Sequence, residues 1–125
     1  MATQTHFQKE LEELKENLLK MAAMVEEALR NSVQSLVKRD SDLARKTFEV
    51  EDRINKMEIA IDEMCLKLLA LRQPMAADLR FITSAMKITT DLERMGDQAV
   101  NIAERALALN EDPQLKPLYR YPPHD

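Results

Sequence analysis

Tryptophan is absent from this chain, glycine and cysteine occur once each, histidine occurs twice, and aromatic residues make up only 4% of it. Each scarcity removes a class of explanation. One glycine leaves no phosphate-cradling glycine loop and little material for tight β-turns. The lone cysteine, Cys65, has no partner for an internal disulfide, and a reducing cytosolic compartment fits best. His6 and His124 sit near opposite ends of the chain, so they form no histidine-rich metal centre. No apolar run reaches the roughly 18 residues of a membrane-spanning helix. The N-terminus lacks the charged start and apolar core of a secretory signal. A formal net charge of −4 argues against a nucleic-acid-binding surface.

What is present suits long helices. The 125 residues are enough for one ordinary domain, and 45% hydrophobic with 32% charged residues allows a real core with a soluble surface. Leu, Ala, Met, Glu, Lys and Arg dominate. Thr5 and Gln8 have the spacing of a capping box. After them Phe7, Leu11, Leu14, Leu18, Met21, Val25, Ala28, Ser32 and Leu36 recur in steps of three and four, the period of an amphipathic helix. Lys38 and Arg39 suit its negative end. Asp40, Ser41 and Asp42 offer N-cap candidates and first-turn acids for a second helix. Its stripe is Leu43, Thr47, Val50, Ile54, Met57, Ile61, Cys65 and Leu68. Pro74 ends it and suits the first turn of a third. There Phe81, Ile82, Ala85, Ile88, Leu92, Met95, Ala99, Ile102, Ala103 and Ala106 are expected to face inward.

The expected architecture is all-α: an up-down-up antiparallel three-helix bundle over residues 1–111, with helices at about 5–38, 41–72 and 75–110. The stretch 112–125, with LKPLYRYPPHD, has no helical period and reads as a proline-rich tail or a shortened linker.

The single glycine, Gly96, falls inside the third helix, where it costs about 1 kcal/mol against alanine. It lies on the inward stripe, so close backbone packing is one explanation. The other lies in its neighbours. Glu93 and Asp97 stack on one face, which continues to Glu104 and, less squarely, Asn101. Glu51, Asn55, Glu58 and Asp62 form a matching line on the second helix. Both lines run beside the core stripe, and together they can converge along one groove. Like charges at this spacing repel, and neither line carries a basic residue at matching positions. Hard metal ions, which take oxygen ligands, are one remedy; an ordinary solvated helix face is the bland alternative. Cys65 reads as a small core residue, and neither Ser32 nor Ser84 has a base nearby in sequence. Nothing suggests an enzyme; a metal-dependent hydrolase would need a general base that the sequence does not name.

The blocks EDRINKMEIAIDE, LALRQPMAADLR and DLERMGDQAVNIAER, in this order and spacing, resemble the PhoU family of bacterial regulators of phosphate uptake, over about residues 5–110. The resemblance implies cytosolic three-helix bundles whose acidic E(D)xxxD motifs hold divalent or multinuclear metal: iron, zinc, manganese or magnesium. On this chain those motifs fall on Glu51, Asp52, Asn55, Glu58, Asp62, Glu93 and Asp97, with Asn55 standing where the family commonly has an acid. It further implies a negative regulator of phosphate uptake and of the phosphate-starvation response. Such a protein is an adaptor between the ATPase subunit of a phosphate ABC transporter and a sensor histidine kinase, not an enzyme. Family members typically have two tandem three-helix repeats and this chain has one, so it reads as an N-terminal fragment or a single-repeat relative. The face that would meet a second repeat is then exposed apolar surface, and a homodimer is expected. Arg72, Asp78 and Arg80, around the turn at Pro74, are candidates for partner contact or simply for capping. The alternative function is a structural helical interaction module with no metal role.

Overall fold

A computed structural model describes residues 5–111; the tail 112–125, including His124, lies outside the described residues. The chain forms α1 (His6–Val37), α2 (Ser41–Arg72) and α3 (Ala76–Asn110). There is no strand among the described residues.

Each helix starts and stops for a local reason. The Thr5 hydroxyl accepts the Gln8 N–H and the Gln8 side chain accepts the Thr5 N–H, both at 3.1 Å. This reciprocal box satisfies two amide donors that the first turn leaves free. At the far end the Lys38 N–H donates to the Gln34 carbonyl, and Arg39 takes a left-handed φ of 56° that turns the chain. One oxygen of Asp40 then accepts the N–H groups of Asp42 and Leu43 at 3.0 and 3.2 Å, an N-cap that contributes about 1 kcal/mol. α2 ends where Gln73, left-handed at φ 47°, precedes Pro74. α3 begins at Ala76, beyond Pro74, with no side-chain cap at Met75; Asp78 supplies an acid to its first turn. Ala76 is also left-handed, at φ 47°. Two such non-glycine residues within four positions make this turn the most strained backbone among the described residues.

Cross-helix contacts set the up-down-up order. Arg72 meets Glu10 at 2.9 Å and Arg53 meets Glu27 at 3.4 Å, so α1 and α2 run in opposite directions. Asn110 donates to Ser41 at 3.0 Å and Cys65 donates to the Ile82 carbonyl at 3.9 Å, so α2 and α3 do too. Leu14, Met21, Val25, Ile54, Ile61 and Ile82 fill the core and are all essentially inaccessible to water. Toward the end where α1 hands over to α2, the core narrows to small residues: Ala28, Ser32, Ser35, Ala44, Ala103 and Ala106. The buried hydroxyls there and nearby satisfy themselves within their own helices. Ser35 donates to the Ser32 carbonyl, Thr47 to Leu43 and Thr89 to Ala85.

Three residues placed on the inward stripes depart from that expectation. Ile88 and Met95 are 46% and 45% exposed, and Leu36 is 38% exposed. Ile88 and Met95 lie on the edge of the α3 stripe, past the surface that a three-helix core can cover. Leu36 comes one residue before α1 ends, where no further turn shields it. Among the described residues no helix is long and apolar enough to cross a membrane.

Candidate metal site in the groove between α2 and α3

Gly96 is buried against α2. A Cβ added there would lie 2.8 Å from Oε1 of Glu51, and in ordinary contact with Ile54 at 3.5 Å. The three nearest atoms all belong to side chains, not to a neighbouring backbone, so of the two explanations for this glycine the structure favours the acidic neighbours. Its missing side chain is the space that the Glu51 carboxylate occupies.

The consequence is a carboxylate held against the bundle. Glu51 Oε1 is buried and has no hydrogen-bond donor. An acceptor without a donor in such a place is costly. One oxygen each from Glu51, Glu93 and Asp97 lie within 4.8 Å of one another, so two helices deliver three acids to one point. Glu93 and Asp97 reach it from consecutive turns of α3; Glu51 comes across from α2.

Burial raises the Glu51 carboxyl from its ordinary 4.5 to about 7. Asp97 adds to this, by offering to share a proton and by its charge, and Glu93 and Asp52 add further repulsion. A hydrogen bond between Glu51 and Asp97 exists only when one of them carries that proton; fully ionised, Oε1 has no partner. Glu93 is raised by burial and then by Asp97 and Glu58, partly offset by the cation of Arg94. Glu58 is raised by burial, then by Asp62 and Asp97, which places it at the edge of the same field.

An unpartnered buried oxygen surrounded by other acids, with Arg94 offsetting only part of the field at Glu93 and forming no ion pair there, is short of positive charge. The ion pairs among the described residues are Arg45–Asp42, Arg53–Glu27 and Arg72–Glu10, all elsewhere. An all-oxygen donor set suits a hard divalent cation.

The remaining acids named from the sequence are spread along the groove. Glu58 is half-buried beside the three; Asp52, Asn55 and Asp62 are exposed on α2 and do not join them. Asp62 lies close enough to Cys65 to help burial push that thiol up to about 11. Cys65 is fully buried and stays a neutral core residue. At the α2–α3 turn, Arg72 holds Glu10 and Asp78 opens α3, so both have structural duties. Arg80 is exposed and makes no ion pair among the described residues. Beside it stand Leu71, Met75 and Leu79, 72%, 78% and 40% exposed. Sequence reasoning singled out the charges of this tip and missed its apolar side chains. The available signal was three large apolar residues, Leu71, Met75 and Leu79, within five positions of Pro74 and off the expected core stripes.

The fold and the groove define an all-α bundle with a cation-suited carboxylate cluster between two of its helices. Residues 18–106 match the PhoU domain, and the chain belongs to the PhoU family. It is 49% identical over 109 residues to the phosphate-specific transport system accessory protein PhoU homolog of Aquifex aeolicus (strain VF5), a match covering 87% of this chain and 49% of that one. It is 41% identical over 101 residues to the phosphate-specific transport system accessory protein PhoU of Escherichia coli (strain K12), covering 81% of this chain and 42% of that one. The crystal structure of PhoU from Pseudomonas aeruginosa superposes with a TM-score of 0.82 at 46% identity, over 85% of this chain and 51% of that one. The chain thus spans about half the length of the relatives it matches.

Proposed function

We propose that this chain is a non-enzymatic, cytoplasmic regulator of phosphate uptake that restrains both uptake and the phosphate-starvation response. It acts as a metal-binding adaptor between the ATPase subunit of a phosphate transporter and a sensor histidine kinase, and works as a homodimer. Kinship with phosphate-transport accessory proteins supports the setting. The observation that carries the metal role is the orphaned Glu51 oxygen, cleared by Gly96 and facing Glu93 and Asp97.

Glu51, Glu93 and Asp97 would hold the cation, with Glu58 contributing charge from the edge. The cation would supply the positive charge that three clustered acids lack, and so tie α2 to α3. The adaptor presents its helix faces and the Arg80 tip to its partners. It shifts their populations only to the extent that it binds one of their states better than another.

The test is retention of purified transporter ATPase and sensor kinase on immobilised chain, with wild type and the Glu93→Ala/Asp97→Ala variant. Wild type should retain both, and the variant should retain them more weakly. Wild type that retains neither contradicts the adaptor reading. An Arg80→Glu chain that binds as well as wild type removes the tip from it.

A further inference from the structure

The two grooves that flank α3 differ in chemistry. The one toward α2 carries the acids. On the opposite flank, one heptad apart, stand Ile88, Met95, Ile102 and Leu109. Ile88 and Met95 are nearly half exposed, and Ile102 and Leu109 are partly so. The flank of α1 toward α2 is marked by Glu10, Asn17 and Glu27, whose side chains all reach that helix. At 100° per residue, the other flank presents Val33 and Leu36, 45% and 38% exposed. α1 and α3 run parallel; Leu36, Ile102 and Leu109 line one depression together with Gln98, Asn101, Glu104 and Arg105, and Ile88 and Met95 continue the apolar row along α3.

We propose that this α1–α3 groove is the surface on which two copies of the chain pair about a two-fold axis. The inference rests on the self-association included in the proposed function and assigns it a face. Three features point to a second copy. The face is large enough: α3 has 35 residues, about 50 Å at 1.5 Å each, and two helices about 10 Å apart give on the order of 1,000 Å². A standard stable interface needs about 800 Å² from each partner. Its rim carries both signs, which a two-fold contact can match to itself. Glu26 and Arg30 border it on α1 and Asp91 and Arg105 on α3, and none of these is in an ion pair among the described residues. The α2–α3 groove could not serve, because its clustered acids would face their own copies.

The test is the solution mass of the chain by sedimentation equilibrium, for wild type, Ile88→Glu/Met95→Glu, and the control Ile59→Glu/Leu66→Glu on the outer surface of α2. Wild type and control should have twice the chain mass, and the groove variant should have the single mass with unchanged helical circular dichroism. If the groove variant fails to fold, a Met95→Cys chain treated with a short bis-maleimide gives the answer. Buried Cys65 stays silent, and covalent dimer should form at Met95→Cys and not at Ile59→Cys. A monomeric wild type overturns self-association itself. A dimer that survives the groove substitutions, or that cross-links at position 59 and not at 95, overturns the assignment of the face alone.

Discussion

Oε1 of Glu51 lies 2.8 Å from the point where a side chain on Gly96 would begin. The close atom is the tip of a flexible side chain, not backbone, so an added methyl group can displace it. Gly96→Ala gains about 1 kcal/mol of helix propensity while moving the carboxylate out of the groove. Metal-free Gly96→Ala should be as stable as wild type or up to about 1 kcal/mol more stable. Its affinity for divalent metal should fall at least about tenfold, the effect expected when a ligand is misplaced. Denaturant unfolding and metal titration measure the two. Clear destabilisation, or unchanged metal affinity, would show that the glycine serves backbone packing instead.

A second expectation concerns pH. Glu51 titrates near 7 in the fold against an ordinary value of 4.5. Between those values the folded chain keeps a proton that the unfolded chain has released. A raised carboxyl contributes stability that is intact below the unfolded value and lost as pH rises through the folded one. Chelated wild type should therefore melt at a lower temperature near pH 8 than near pH 6, and Glu51→Gln should remove most of that difference. A melting temperature that climbs over the same interval contradicts the assignment. Metal affinity should rise with pH across this window, because the cation competes with the proton.

Neighbouring isoleucines test the packing. Ile61 is fully buried, while Ile59, two residues before it, is 59% exposed. Ile61→Ala should cost about 2–5 kcal/mol in urea unfolding. Ile59→Ala should stay within about 0.5 kcal/mol of wild type. Comparable losses at both positions would mean that the outer face of α2 is covered.

The fold was legible because every level of the sequence agreed. The steps of three and four from Phe7 to Leu36, the Thr5 box and the Asp40 cap all specify the same helices. Their ends were legible too, since Lys38, Arg39 and Pro74 stand where the helices stop. Ile88 and Met95 were misread because a wheel records direction, not coverage. Alanine and glycine at positions 85, 96 and 99 leave the centre of the α3 face thin, and its apolar edge stays in water. The groove was half legible. Spacing put Glu93 and Asp97 on one face and Glu51 on another helix. Which residue of α2 comes opposite Gly96 depends on the register between helices, and periodicity within one helix does not contain that information. Glu51 therefore looked no different from Asn55 or Asp62, whereas across the interface it alone reaches the space that the glycine leaves.

Elemental analysis of the chain purified without chelator, beside Glu93→Ala/Asp97→Ala prepared in the same way, puts the carboxylate cluster to the most direct test. The account predicts bound divalent metal in wild type at no less than about one ion per chain, lost from the variant while its helices remain. Metal-free wild type that also takes up none of iron, zinc, manganese or magnesium on titration would contradict it.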